Sequence, residues 1–244
     1  MSSEKSFLAL RLEGPLQSWG FDSQYNRRNT GLMPTKSGIA GMCCAALGLP
    51  RGSDQEKAFL TQFSAMQMTA IAIPRKGVKK ELSVRRLQDY HTVQKTKRAS
   101  GSINNDCVLT HRQYLTDASF GILLEGSKLL LKEIADGLAN PIWGIWLGRK
   151  TCIPSVPVLA GLKENKEDAL RLIIDEKSLE SFTRQEDVAD FAEGRDSLPD
   201  TPVSFATEQR LFSLRRVITL QGTGGSPDAC KADMIGINQD AKEG

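Results

Sequence analysis

The order of elements in this sequence predicts an α+β fold: a ferredoxin-like β-α-β-β-α-β core with an inserted long β-hairpin and a small β-rich C-terminal part. Three observations lead to this prediction. Residues 6–13 alternate in the manner of a strand, residues 34–48 form a small and apolar helical segment, and two extended segments flank a polar tip at residues 94–106.

The first strand is predicted over residues 6–13, because leucine occupies every second position from Leu8 to Leu12. A loop over residues 16–32 follows. Its interleaved aromatic and basic side chains suit RNA, in which bases stack and phosphates attract cations. Within this loop, we interpret Trp19 as an anchor that fixes the loop to the core.

The helix at residues 34–48 begins in a turn rich in hydroxyl groups. Thr35 or Ser37 is the predicted N-cap, since a hydroxyl accepts hydrogen bonds from the free N–H groups of the first turn. Lys36 beside a helix N-terminus suits an anion, and Gly38 permits close approach of a strand or a ligand backbone. The turn therefore predicts either a well-capped core helix or a phosphate contact.

A capping box at Ser53 and Glu56 predicts a short second helix, and residues 66–73 read as a strand. Residues 82–93 and 108–120 are the predicted arms of the long hairpin. The tip between them has too few apolar side chains to form a core, so we expect it to be mobile or to order on a partner.

A third helix is predicted from Ser127, with apolar side chains at positions i, i+3, i+4 and i+7. The segment 143–152 follows as a loop with two tryptophans and a basic pair. The remaining predicted elements are an amphipathic helix at residues 165–174, closing strands at residues 203–207 and 214–220, and a frayed tail from about residue 222.

Charge is unevenly distributed along the chain. Residues 75–112 carry ten Lys or Arg against three Asp or Glu, an excess of seven, whereas residues 163–200 carry six against twelve, a deficit of six. The first region favours a polyanion, and the second favours water or a basic partner.

Composition excludes several classes of protein. The five cysteines are odd in number and lack framework spacing, which indicates buried thiols in a reducing compartment. With two histidines and no CxxC pair, we expect no structural zinc site, no other metal and no cofactor. No apolar run reaches the roughly 18 residues needed to span a bilayer, so we expect a cytoplasmic protein without a membrane partner.

Basic, hydroxyl and aromatic side chains together fit a bound RNA strand best. Cations would neutralise phosphates, hydroxyls would donate hydrogen bonds, and tryptophans would stack on bases for about 1–3 kcal/mol each. The candidate RNA-binding residues are Gln17, Arg28, Thr35, Lys36, Ser37, Gly38, His91, Thr92, Arg112, Trp143, Trp146, Arg149 and Lys150.

A metal-independent endoribonuclease is the alternative function. Asp89 and His91 share a face of the predicted strand while Tyr90 faces away, so the carboxylate could orient the imidazole for acid–base chemistry. His111 in the second arm could lie across from the first histidine. A structural role is the more common one for a histidine in such a strand, and we assign no catalytic residue.

Five motifs carry a resemblance to a known family. They are LRLEGPLQSWG at residues 10–20, PTKSG at 34–38, DYHTV at 89–93, RQYLTDASF at 112–120 and LGRKTC at 147–152. Their order and spacing resemble CasD-type subunits of the type I-E Cascade CRISPR surveillance complex, in the repeat-associated, RRM-like superfamily. The resemblance implies an RRM-like domain over residues 1–160 with a hairpin "thumb" at about residues 76–112, and a C-terminal extension over residues 161–244 that closes the sheet.

The same resemblance implies a non-catalytic role and several partners. Such a subunit holds the 5′ handle of the CRISPR RNA, caps the backbone filament, packs its thumb on the adjacent backbone subunit and meets the large PAM-reading subunit, with target DNA engaged indirectly. Arg112 and residues 143–150 would hook the handle, and the turn at residues 34–38 would line the same groove.

The chain departs from its relatives at two places. Trp146 stands where the family has a tyrosine before Leu-Gly-Arg, which keeps a stacking surface and loses a phenolic hydrogen bond. A related type I-C subunit is an endoribonuclease that uses a tyrosine, a lysine and a histidine. Here Tyr90 and Thr110, not lysine, precede the two histidines, which argues against cleavage.

Overall fold

The computed structural model describes residues 4–20, 22–23, 26–76, 81–82, 84–98, 100–188, 190 and 192–223. Within these ranges the helices are α1 (Lys36–Leu47), α2 (Asp54–Ser64), α3 (Lys128–Ala139) and α4 (Lys166–Ile174), with a 3-10 turn at Leu179–Ser181. The strands are β1 (Lys5–Glu13), β2 (Leu16–Gln17), β3 (Arg27–Arg28), β4 (Gln67–Ala72), β5 (Arg75–Lys76), β6 (Glu81–Leu82), β7 (Arg85–Val93), β8 (Thr96–Lys97), β9 (Ile103–Asn104), β10 (Val108–Thr116), β11 (Ser119–Ser127), β12 (Leu159–Lys163), β13 (Arg184–Asp187), β14 (Asp196–Ser204) and β15 (Leu211–Leu220).

The largest sheet in the described part of the chain has seven strands in the order β12-β1-β11-β4-β13-β15-β14. Every neighbouring pair in it is antiparallel. The mixed α+β class predicted from the sequence is therefore confirmed. Strand β12 pairs with β1 and spans residue 160, so the sheet continues across the predicted domain boundary.

Alternation in β1 divides the core into two layers. Leu8, Leu10 and Leu12 enter the main core with side chains of α1, α2 and α3, whereas Ala9 points to the other face, where Ile173 of α4 packs. Helices thus cover both faces of the sheet. No described helix is long and apolar enough to cross a membrane.

Local capping signals determine where the first two helices begin. Thr35, rather than Ser37, caps α1, because its hydroxyl accepts a hydrogen bond from the Gly38 N–H at 3.2 Å. Ser53 caps α2 by accepting from the backbone N–H of Glu56 at 3.1 Å. Both helices follow the predictions made from hydroxyl residues before apolar runs.

The strand boundaries after the hairpin differ from the prediction. The single extended segment expected over residues 108–120 is two strands, since β10 ends at Thr116 and β11 begins at Ser119. Asp117 between them has a φ of 54°, which turns the chain from the hairpin into the central sheet.

The predicted strand at residues 203–207 was also misplaced. The observed β14 ends at Ser204, and it contains Pro199 and Pro202, which weaken the sequence signal for a strand. The closing strand at residues 214–220 is confirmed within the longer β15. Most of the predicted frayed tail lies outside the described residues.

A second, smaller sheet is built around the long hairpin. Strands β7 and β10 pair from Arg85↔Thr116 to Val93↔Val108, and β2 and β3 also pair with β10. A two-residue ladder between β8 and β9 lies at the tip. The hairpin expected from the sequence is present, and its base joins the body of the protein.

Candidate nucleic-acid interface

Strand register gives the hairpin two distinct faces. Paired residues of antiparallel strands project to the same side, so the pairs His91↔Thr110 and Asp89↔Arg112 share one face. Arg28 pairs with Arg112 across the parallel β3–β10 bridge and therefore shares that face as well.

Four arginines lie on this face toward the base of the hairpin. Three belong to strands β3, β7 and β10 by register, and the fourth reaches β10 from the loop after α3. We call this surface the arginine face: Arg28, Arg85, Arg112 and Arg149.

Arg149 fastens its loop to two strands. Its Nη1 donates to the carbonyl of Gln113 in β10 at 3.1 Å, and its Nη2 donates to the carbonyl of Arg28 in β3 at 2.7 Å. Its guanidinium carbon lies 4.7 Å from the centre of the Tyr114 ring. One side chain therefore connects the loop, β3 and β10.

The loop before Arg149 is held by buried anchors. Leu147 and Cys152 are fully buried, and the Leu147 N–H donates to the Cys152 carbonyl at 2.7 Å. The Ser18 N–H donates to the Leu147 carbonyl at 3.0 Å. Gly148 has a φ of +96°, and a Cβ there would lie 1.8 Å from the Ser18 carbonyl oxygen. Only glycine fits this position without moving the loop.

Gly148→Ala should therefore destabilise the protein and displace the loop. The matched control is Gly101→Ala, where φ is +82° but no atom lies within 4 Å of the added Cβ. The control should lose only the cost of a left-handed alanine, about 1–2 kcal/mol. Urea denaturation of both variants measures the difference. Equal losses would contradict a close contact between Gly148 and Ser18.

The arginine face is strongly positive. By register and contact it holds four arginines against one carboxylate, Asp89, a net charge of +3 without histidine. Arg112 Nε donates to Thr110 Oγ1 at 3.2 Å, which orients this guanidinium along the strand. His91 Nδ1 lies 3.9 Å from Asp89 Oδ2. A planar guanidinium held in a fixed orientation can direct two parallel N–H groups at two oxygens of a phosphate.

The opposite face of the hairpin forms one wall of a cleft of about 520 Å³. Arg86 and Gln113 line it from the hairpin, Met33 and Thr35 from the turn before α1, and Leu198 from β14. The turn at residue 35 and Arg112 therefore lie on different faces of β10, which corrects the expectation of one shared groove.

Gln17 is a structural residue, which corrects its assignment to RNA. It is fully buried. Its Nε2 donates to the carbonyls of Leu12 at 2.9 Å and Ala118 at 2.7 Å. Its Oε1 accepts from Trp19 Nε1 at 3.0 Å. These bonds occupy both ends of the amide inside the core.

Lys36 is also internal, with 3% of its surface exposed. Its Nζ donates to Asp187 Oδ2 at 2.9 Å and to the carbonyls of Ser64 and Met66. The ammonium is thus fully occupied by the protein. This corrects the prediction that Lys36 binds a phosphate.

Lys36 belongs to a buried ionic network that sequence reasoning missed: Lys36, Asp187, Asp200 and Arg215. Arg215 donates to both carboxylates, and the Lys36 backbone N–H donates to Asp200 Oδ2 at 2.9 Å. Burial lowers the pKa of Arg215. Its hydrogen bond to Asp200 and its attraction to Asp187 outweigh this effect, so the pKa lies above its ordinary value. Arg215 and Val217 are both buried and lie two positions apart in β15, so they project from the same side of the strand. This spacing was the available signal in the sequence.

The remaining predicted residues around α1 have different roles. Gly38 faces the core, since a Cβ there would lie 2.9 Å from the Trp19 ring. The Trp143 N–H donates to the carbonyl of Ala45, near the C-terminal end of α1. Because a twelve-residue helix is about 18 Å long, Trp143 and Thr35 lie near opposite ends of α1.

Other predicted residues lie at the surface. Trp143 and Trp146 are 46% and 37% exposed, so their rings are accessible for stacking. Thr92 and Lys150 are exposed, and Ser37 is half-buried. The structure therefore leaves the tryptophans, Thr92 and Lys150 available to a ligand.

The two histidines do not act as a pair. His91 pairs with Thr110 while His111 pairs with Tyr90, so their side chains project from opposite faces of the hairpin. The His111 ring centre lies 5.2 Å from that of Tyr90. This geometry corrects the expectation of two histidines across the hairpin. The described residues contain no group of three or more His, Cys, Asp or Glu placed to hold a metal ion.

Comparison with known proteins identifies the family. The family described as "CRISPR-associated protein (Cas_Cas5)" matches residues 7–218. The chain is 32% identical over 164 residues to the CRISPR system Cascade subunit CasD of Escherichia coli (strain K12), covering 64% of this chain and 71% of that protein.

Solved structures agree with this match. The fold is similar to a chain of a CRISPR RNA-guided surveillance complex, with a TM-score of 0.68 and 28% identity over 89% of this chain and 91% of that chain. It is also similar to a crystal structure of a Cas protein, with a TM-score of 0.61 and 29% identity over 90% of this chain and 100% of that chain. The motif resemblance is confirmed, and the chain belongs to the Cas_Cas5 family of CRISPR-associated proteins.

Proposed function

We propose that this protein is a cytoplasmic, non-catalytic subunit of a type I-E Cascade complex that holds the 5′ handle of the CRISPR RNA. The observation that carries the proposal is the arginine face, on which four arginines lie toward the base of the hairpin. The similarity to a Cascade subunit and to a chain of an RNA-guided surveillance complex supports it.

In this proposal, the arginine face neutralises phosphates of the handle. Arg28 and Arg112 are aligned by the β3–β10 bridge, so they present two cations in a fixed relation to one strand of RNA. His91 extends the surface along β7, whereas Thr92 projects from the opposite face of the hairpin. Exposed Trp146, next to the buried Leu147, offers a stacking platform for a base.

The cleft on the other side of β10 is the proposed second contact. Its amide groups and Arg86 suit the polar edges and phosphate of a nucleotide, and Met33 and Leu198 supply apolar walls. Gln113 lines this cleft while its carbonyl accepts from Arg149 on the arginine face. We propose that one RNA strand passes around the hairpin base and meets both surfaces.

The proposal includes a ferredoxin-like, RRM-like domain that ends with β12 at Lys163, three residues beyond the predicted boundary at residue 160, and is followed by the C-terminal extension. Its support is the order β12-β1-β11-β4, in which the fourth, first, third and second strands of a β-α-β-β-α-β unit lie side by side.

The hairpin is the proposed thumb, which packs on the backbone subunit at the capped end of the filament. Exposed Tyr90 and Leu109 share the hairpin face opposite the arginine face and support a protein contact there, because neighbouring apolar side chains at a surface mark interaction sites. The body meets the large PAM-reading subunit, and target DNA is engaged only through the assembled complex.

The test is binding of labelled repeat-derived RNA by wild type, Arg28→Ala and Arg112→Ala over a series of salt concentrations. Each substitution should weaken binding and reduce the slope of log K against log salt by about 0.7, the share of one phosphate on a single strand. Lys132→Ala on α3 is the control, since it removes one exposed cation away from the hairpin. Equal effects of all three substitutions would overturn the proposal.

The same RNA also tests the nuclease alternative, which the 3.9 Å approach of His91 to Asp89 favours. The expected result, in EDTA, is RNA that stays intact during incubation with wild type. RNA shortened by wild type and left whole by His91→Ala would instead make this protein a processing nuclease.

A further inference from the structure

The Arg149 side chain makes its contacts within the protein. Its two terminal nitrogens donate to the carbonyls of Gln113 and Arg28, and its guanidinium lies over the ring of Tyr114, which is 5% exposed. A cation that served only as a charge for RNA would not need two backbone acceptors and an aromatic surface. The contacts therefore indicate a role inside the site.

The strand that Arg149 holds is short, and just after it Thr30 Oγ1 accepts from the Trp19 N–H at 2.8 Å and the Gly31 N–H donates to the Trp19 carbonyl at 2.7 Å. Strand β3 contains only Arg27 and Arg28, and its bridge to β10 includes one hydrogen bond from the His111 N–H to the Asn26 carbonyl at 2.8 Å. Short pairings of this kind are marginal without further contacts. The hydrogen bond from Arg149 to the Arg28 carbonyl is an attachment at the strand itself.

The position of β3 sets the geometry of the arginine face. Arg28 and Arg112 are direct partners across the β3–β10 bridge, so any movement of β3 changes the spacing of their guanidinium groups. We propose that Arg149 is a positioning residue, which clamps β3 to β10 and thereby aligns Arg28 and Arg112 for RNA. This role rests on the proposed function.

The chemistry of the clamp requires arginine. A planar guanidinium directs two N–H groups to separate acceptors while its flat side rests on an aromatic ring. A lysine ammonium keeps the charge but lacks the rigid fork and the stacking plane. Arg149→Lys therefore separates the clamp from the charge.

The experiment compares Arg149→Lys, Arg149→Ala and Lys150→Ala in RNA binding. If the clamp operates, Arg149→Lys should bind about tenfold more weakly than wild type, the order expected for losing two hydrogen bonds, and close to Arg149→Ala. Lys150→Ala, which removes an exposed charge from the same loop, should lose less. Wild-type affinity in Arg149→Lys would overturn the inference.

A readout without RNA distinguishes failure of the clamp from failure of the proposed function. Hydrogen exchange of the free protein should become faster at the His111 amide, which pairs β3 with β10, in Arg149→Lys and not in Lys150→Ala. The amides of the β7–β10 ladder serve as the internal reference.

Unchanged exchange at His111 in Arg149→Lys would overturn the clamp even if RNA binding fell, because Arg149 would then contact RNA directly. Faster exchange at His111 in Arg149→Lys, together with no RNA binding by wild type, would support the clamp and reject the proposed function. If Arg149→Lys failed to fold, Arg149→Gln would test the same clamp by the same exchange measurement, since its amide can donate to only one part of the pair of carbonyls and has no guanidinium plane for Tyr114.

Discussion

Asp200→Asn should lower the free energy of unfolding by about 3–5 kcal/mol, the range for breaking a buried ion pair from one side. Asp200 is 1% exposed, and its carboxylate accepts from Arg215 Nε at 2.6 Å and Nη2 at 2.9 Å. It also accepts from the Lys36 backbone N–H at the start of α1. The substitution leaves two buried cations facing one remaining carboxylate.

Urea denaturation followed by far-UV circular dichroism measures this loss. Asp196→Asn is the control, because it neutralises an exposed carboxylate near the start of the same strand and should change stability by no more than about 0.5 kcal/mol. A similar loss in both variants would show that general charge, not the network, stabilises this region. The large effect is expected because the network joins α1 to three C-terminal strands.

Trp19→Ala should have a comparable effect on folding, about 3–5 kcal/mol. The indole is 1% exposed and contacts Gly38 in α1, and its Nε1 donates to Gln17 Oε1 at 3.0 Å. Removal leaves a cavity in the main core and a buried amide oxygen without its donor. The structure thus bears out the interpretation of Trp19 as an anchor.

Trp146→Ala is the matched variant, because it removes a tryptophan that lies at the surface. Since its ring is 37% exposed, stability should change by less than about 1 kcal/mol, whereas RNA binding should weaken by about 1–3 kcal/mol if a base stacks on it. Denaturation and RNA titration of both variants check the pair. A strong loss of stability in Trp146→Ala would assign it to the core instead of the interface.

Local signals in the sequence were sufficient for the helices and the first strand. Hydroxyl caps marked the starts of α1 and α2, and the leucine alternation marked β1, because these features depend on residues within one or two turns of each other. The five motifs were sufficient for the family, which the comparison with known proteins confirmed.

Local signals could not separate a cation that faces RNA from one that is buried. Lys36 follows a cap and precedes a helix, which is typical of an anion site, yet its partner Asp187 lies 151 positions away. The sequence placed that aspartate in an acidic region predicted to favour water or a basic partner, without identifying Lys36 as the partner. Only the packing of β13, β14 and β15 beside α1 brought the two charges together.

The sequence also did not determine the register of the hairpin strands β7 and β10. The pattern predicted a hairpin carrying both histidines, but a shift of one residue in pairing reverses the face of every side chain. The observed register places His91 with Arg112 on one face and His111 on the other. The sequence by itself determined the family, the helices and the charged hairpin. The tertiary structure decided which charges are free to bind, because strand pairing and burial depend on distant residues.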